Sequence, residues 1–134
     1  MAETLEFELV SPAKLLISEP VEMVVVPGSE GNFGALPGHA PMLSTVRPGV
    51  IDIYAKGAVI NRIFVAGGFA EVTEGRCTVL AEEAIPLAEM TREGVEAQLA
   101  AARDALQEAD EALEKAQAES RIKVAEAMLD ALAS

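Results

Sequence analysis

The chain has 134 residues, and its 22 acidic against 10 basic side chains leave a net charge of −12, a balance that repels nucleic-acid phosphates and anionic lipid headgroups and excludes direct binding to either. One cysteine, Cys77, and one histidine, His39, allow neither an internal disulfide nor a His/Cys zinc cluster and suit a reducing compartment. The opening MAETLEFELV has neither the basic start and apolar run of a signal peptide nor the face of a transit peptide. No apolar run approaches the roughly 20 residues that span a bilayer, so membrane association is expected only through a protein partner.

From Leu5 to about Glu83 the residues read as short strands separated by turn chemistry, the pattern of a β-sandwich or barrel. Leu5, Phe7 and Leu9 alternate with Glu6 and Glu8, giving the first strand one apolar and one acidic face. Val21 to Val26 forms a second run, ended by Pro27-Gly28. Val50 to Tyr54 and Val59 to Ala66 flank Ala55-Lys56-Gly57-Ala58 as a hairpin with a glycine in its turn. Phe69 to Val72 and Cys77 to Ala81 flank residues 73–76 as another. Nine of the ten glycines fall in this region at the punctuation points, while β-branched and aromatic residues fill the runs between them.

Beyond Pro86 the vocabulary changes to Ala, Glu, Leu, Gln and Lys, and residues 95–134 contain no glycine or proline. Val95, Leu99, Ala102, Leu106, Ala109, Leu113 and Ala116 recur at alternating steps of four and three, which places them on one helical stripe. The phase then slips, and Ile122, Leu129 and Leu132 carry a new stripe. Thr91 is a candidate cap for a first helix, with Glu93 in its opening turn, and Asp110 for a second. Two antiparallel helices turning near residues 107–111 is the preferred arrangement. A single rod of about 43 residues, on the order of 65 Å long, is the alternative because no turn signal is present. A stripe of alanines with few leucines buries little apolar surface against the entropy of ordering, so the helices are expected to be the labile part.

The densest constellation is the segment 27–43, where glycines fit positive-φ positions and prolines fix φ, so the loop holds a defined shape. It is either a turn-rich connection between strands or a rigid recognition surface. Gly28 to Gly34 lacks the Gly-Lys-Ser/Thr and the following helix of a phosphate loop. Every Ser-His-Asp or Cys-His mechanism must pass through His39, which, flanked by Gly38 and Ala40 between two prolines, reads as making a fixed hydrogen bond or partner contact rather than as a general base. Cys77 reads as a small buried hydrophobe, Gly67-Gly68 as a bend or bulge, and the helical acids as solvated faces. Nothing assembles an active site.

Gly28-Ser29-Glu30-Gly31, Gly34, Pro37-Gly38-His39-Ala40-Pro41 with Leu43, and Pro48-Gly49 form a signature that resembles the epsilon subunit of bacterial F-type ATP synthases. Val65-Ala66-Gly67-Gly68-Phe69-Ala70-Glu71-Val72 and Thr78-Val79-Leu80-Ala81 with Ala84 continue it in the right order. The resemblance implies an α+β chain: a ten-stranded β-sandwich over 1–86 that binds the gamma subunit and the c-ring, then a C-terminal two-helix antiparallel hairpin over 87–134 that is mobile and regulatory. It implies a non-catalytic rotor subunit of a proton-translocating complex, peripheral to the cytoplasmic side of a bacterial inner membrane. By position, Ser29, Glu30, Gly31, Asn32 and Phe33 match the turn facing the c-ring, His39 and Met42 the neighbouring contact region toward gamma and the ring, and Ser11 a position close to gamma. In several family members the helices extend between the alpha and beta subunits and inhibit hydrolysis, and some bind ATP through an Ile/Leu-Asp-x-x-Arg-Ala motif. Here that stretch is Met90-Thr91-Arg92-Glu93-Gly94-Val95, which lacks the motif, so no nucleotide cofactor is expected. The rival readings are a small sandwich enzyme or sugar-binding module using His39, and a self-associating helical scaffold with a β head.

Overall fold

Alternation of side chains puts Leu5, Phe7 and Leu9 of the first strand at 1% exposure or less, each stabilising the fold by roughly 1.5–3 kcal/mol through burial. In the computed structural model, which describes residues 3–133, that strand is β1 (Leu5–Val10). It is followed by β2 (Leu15–Val21), β3 (Met23–Gly28), β4 (Gly31–Ala35), β5 (Met42–Val46), β6 (Gly49–Ala55), β7 (Ala58–Val65), β8 (Gly68–Val72), β9 (Arg76–Ala81) and β10 (Ala84–Pro86). A 3₁₀ turn (Leu87–Glu89), α1 (Arg92–Glu108) and α2 (Ala112–Ala133) complete the chain. The chain divides into two compact units, Met1–Pro86 and Leu87–Ser134.

The ten strands run in the order β10-β7-β6-β3-β5-β8-β9-β1-β2, with β4 paired to β3. All pairings are antiparallel except β1 with β9, where Phe7 meets Cys77 and Leu9 meets Val79. One register pair, Gly28 with Val46, joins β3 to β5. The sheet therefore curls there into two layers of a sandwich, and Phe7, Leu9, Val24, Ile51, Ile53 and Val79 fill the space between them.

Three expectations change on the sheet. The run Val21 to Val26 is two strands, since Val21 ends β2 and Glu22, whose amide donates to the Tyr54 carbonyl at 2.9 Å, turns the chain into β3. β2 was not foreseen, because Pro20 interrupts its pattern; the strand lies at the end of the sheet order, where a missing amide donor is tolerated. The segment 27–43 is not all loop: it contains β4 and the start of β5. The other turns follow the residues. Lys56 (φ 55°) and Gly57 (φ 76°) form the two-residue turn between β6 and β7, both with the positive φ that a type I′ hairpin demands.

In the helical unit the Thr91 hydroxyl accepts from the Gly94 amide at 3.1 Å and caps α1. A Cβ on Gly94 would lie 2.9 Å from that same hydroxyl oxygen, so the glycine that weakens the first turn also makes room for its cap. The chain forms two helices that pack on each other as a hairpin rather than one rod. Ala109 ends α1 in an extended conformation (φ −72°, ψ 129°) that any residue adopts, so the turn needs no glycine or proline. The second cap sits at Glu111, not Asp110: the Glu111 carbonyl accepts from the Lys115 amide at 3.0 Å and the Glu111 amide donates to the Glu114 carboxylate at 3.4 Å, half of a capping box. With the helix restarted there, Leu113 leaves the stripe of α1 and is 67% exposed, while Ala118, Ala125 and Met128 are buried on α2.

Candidate interaction surface

β3 and β4 form a hairpin whose strands meet at Gly28 and Gly31, with Ser29 and Glu30 at its exposed tip. A Cβ on Gly28 would stand 2.8 Å from the Gly31 carbonyl oxygen and 3.1 Å from the Phe33 ring, so glycine is what lets the two strands and that ring close up. Neighbouring residues tie the tip down. The Ser29 amide donates to the Thr45 carbonyl at 3.0 Å, and the Thr45 hydroxyl donates to the Ser29 hydroxyl at 2.7 Å. The Arg47 guanidinium donates to the Gly28 carbonyl and, at 2.7 Å, to the Asn32 side-chain oxygen.

The eight residues proposed from the sequence do not converge on one spot. Glu30, Gly31 and Asn32 are exposed at the hairpin, whereas Phe33 is half-buried and packs against the core. Ser11 lies at the same end of the sandwich, in the β1–β2 turn, where its amide donates to the Lys14 carbonyl at 2.9 Å. His39 and Met42 lie at the other end. Met42 pairs with Val72 while Val46 pairs with Gly68, and the four residue steps from one to the other along β5 span about 13 Å. Met42 is half-buried against the core. The loop carrying His39 is held at the β8–β9 turn by the Gly38 amide donating to the Glu74 carbonyl at 2.8 Å.

The His39 ring donates its Nδ1–H to the Ala40 carbonyl at 2.6 Å, a backbone oxygen that is neither acid nor base. Among the described residues no cluster of histidine, cysteine and carboxylates is arranged to hold a metal ion. Cys77 is fully buried, and burial pushes its thiol up from 9.0 to about 11. Below pH 9.0 both folded and unfolded chains keep that proton; between 9.0 and about 11 only the folded chain does, so stability falls as pH rises through that window. The expected loss is up to about 2–3 kcal/mol, read as a drop in urea midpoint between pH 8 and pH 11 that Cys77→Ala largely removes.

A second surface was not legible in the linear pattern. On the outer face of the β5-β8-β9-β1-β2 layer the register aligns Thr45, Phe69, Leu80, Val10 and Leu15 in one row across five strands. Phe69 is 54%, Leu80 53% and Leu15 55% exposed, and Leu43 beside them is 72% exposed. Ser11 borders this row with Pro12 in a shallow depression that Phe69 and Leu80 also line. The adjoining row holds Leu43, Glu71, Thr78, Glu8 and Ser18, and in it the Glu8 carboxylate accepts from the Thr78 hydroxyl at 3.2 Å and from Arg76 at 3.3 Å. An exposed apolar stripe beside a polar margin is the anatomy of a protein-binding face.

The family described as "ATP synthase, Delta/Epsilon chain, beta-sandwich domain" matches residues 4–87, which span all ten strands. The ATP synthase epsilon chain of Rhodospirillum rubrum is 66% identical over 131 residues, covering 98% of each chain. This chain belongs to the ATP synthase epsilon-chain family. Among other epsilon chains, that of Paramagnetospirillum magneticum is 62% identical over 99% of this chain and 100% of its own, so the likeness includes the helical unit. A chain in the Euglena gracilis mitochondrial ATP synthase structure containing OSCP, F1 and c-ring is 28% identical with a TM-score of 0.82, covering 96% of this chain and 81% of that one. A chain of the Tetrahymena thermophila mitochondrial ATP synthase central stalk and c-ring, 18% identical with a TM-score of 0.68, shares the fold. No helix among the described residues is long and apolar enough to cross a membrane.

Proposed function

We propose that this chain is the non-catalytic central-stalk subunit of an F-type ATP synthase, joining the gamma subunit to the c-ring so that the rotor turns as one body. The observation that carries the reading beyond family membership is the exposed row of Phe69, Leu80 and Leu15. A face of that kind, unpaired in the isolated chain, stabilises a partner complex by apolar burial. It is assigned to gamma, with Ser11 at its margin. The β3–β4 tip, Ser29 to Phe33, is assigned to the polar loops of the c-ring, and the loop of His39 and Met42 to a further contact with gamma or the ring.

The helical unit is the candidate regulator, reaching alpha and beta subunits when it leaves its resting arrangement. Its small buried residues, Ala102, Ala118 and Ala125, make helix–helix packing cheap to undo. ATP is not its ligand on this reading, because residues 90–95 lack the family's nucleotide motif. The chain is placed at the cytoplasmic side of a bacterial inner membrane, held there by its protein partners and coupled to proton flow through the ring.

Co-expression with gamma and the c-subunit tests the assignment. The full chain is expected to co-purify with both, and omitting it is expected to uncouple proton flow from ATP synthesis. Recovery of a gamma–c-ring assembly from which this chain is absent, with coupling intact, would end the proposal.

A further inference from the structure

Past Gly28, which pairs with Gly31 on β4 and Val46 on β5, the hairpin ends in a two-residue tip, Ser29 and Glu30, that lies outside the strand ladders. Two sets of hydrogen bonds fix that tip: Ser29 is tied to Thr45 through its amide and its hydroxyl, and Arg47 reaches back to the hairpin three times. The Arg47 amide donates to the Pro27 carbonyl at 2.9 Å, and one guanidinium bridges the Gly28 carbonyl and the Asn32 side chain, on opposite strands of the hairpin. Among the described residues no carboxylate pairs with Arg47, so its fork is committed to neutral oxygens.

We infer that Arg47 is a positioning residue for partner docking: it holds the Ser29–Asn32 tip in its binding shape through the Gly28 carbonyl and Asn32, without itself being the recognised group. The inference rests on the proposed assignment of this tip to the c-ring. A planar fork spans two acceptors at fixed separation, whereas the single ammonium of lysine does not. A tip ordered in advance spends less entropy on association.

The test uses the full chain and a purified gamma–c-ring subcomplex. In Arg47→Ala, amide hydrogen exchange is expected to speed up about tenfold at residues 29–32 while the rest of the sandwich keeps its protection. Its dissociation from the subcomplex is expected to be about tenfold faster. Arg47→Lys should lie between the two. Arg47→Lys also serves if the alanine variant folds poorly. Glu30→Lys, which alters the tip's surface and not its clamp, separates the two ideas. If Glu30→Lys accelerates dissociation and Arg47→Ala does not, or if exchange at 29–32 is unchanged, the positioning role is overturned. If neither variant alters dissociation, the tip is not the ring contact and the inference falls with that assignment.

Discussion

Replacing Phe69 by glutamate is expected to weaken binding to gamma by at least about thirtyfold, the scale of a central interface residue, while leaving the fold intact. Phe69 points outward from β8, with Ala70 and Val72 of the same strand facing the core, so its loss opens no cavity. A carboxylate in its place faces water in the free chain, where such changes cost within about 0.5 kcal/mol. In the complex the same carboxylate must be desolvated against an apolar surface with no cation on its own row to receive it. Leu80→Glu should do likewise, because Leu80 is the register partner of Phe69. The double variant should fall short of the sum of the single effects, since neighbours in contact are not independent. Titration calorimetry with purified gamma, alongside circular dichroism of the free chain, measures both sides. Unchanged affinity in both variants would move the gamma contact to another face.

Gly68→Ala is expected to destabilise the sandwich by about 3–5 kcal/mol, a large share of the roughly 5–15 kcal/mol that holds a domain together. Two separate costs add. At φ 145° the residue occupies a region closed to side chains other than hydrogen, worth about 1–3 kcal/mol of strain. A Cβ there would also stand only 1.9 Å from the Leu80 carbonyl oxygen and 3.0 Å from its carbon, and these are backbone atoms of β9 that cannot swing aside as a flexible side chain would. Relief requires parting β8 from β9 where Gly68 pairs with Ala81, at a further cost of about 1–3 kcal/mol. Gly67, also at positive φ, has its nearest neighbour at 3.5 Å, so Gly67→Ala should carry the strain alone. Urea unfolding of the two variants beside the parent resolves the difference; equal destabilisation of both would show that crowding at Gly68 is not the cause.

How far these surfaces were legible depends on how local their signals are. The alternation of Leu5, Phe7 and Leu9 and the glycine turns at Gly57 and Gly75 identify strands from neighbours two to four residues apart. β2 escaped because an edge strand tolerates Pro20 and exposes Leu15 and Leu16, so its pattern is not that of a half-buried strand. The glycines around the β3–β4 turn read as loop because what they serve exists only once the hairpin has closed: Gly28 lets β3 approach the Gly31 carbonyl and the Phe33 ring, and Gly31 takes a φ of 132°. The helix turn was silent because Ala109 bends the chain with an ordinary extended backbone. The density of proline and glycine in 27–43 did mark a constrained region correctly, but not Arg47, a single cation outside it whose partners lie 15 and 19 positions away.

From residue order come the change from strand to helix vocabulary after Pro86, the acidic balance and the missing nucleotide motif, for each depends on composition or on near neighbours. Pairing β1 in parallel with β9, curling the sheet at Gly28 and Val46, and gathering Phe69, Leu80, Val10 and Leu15 into one exposed row belong to the folded state. Backbone hydrogen bonds between strands are nearly blind to side-chain identity, so which distant strands become neighbours is settled by how the whole set of apolar faces closes on a shared core.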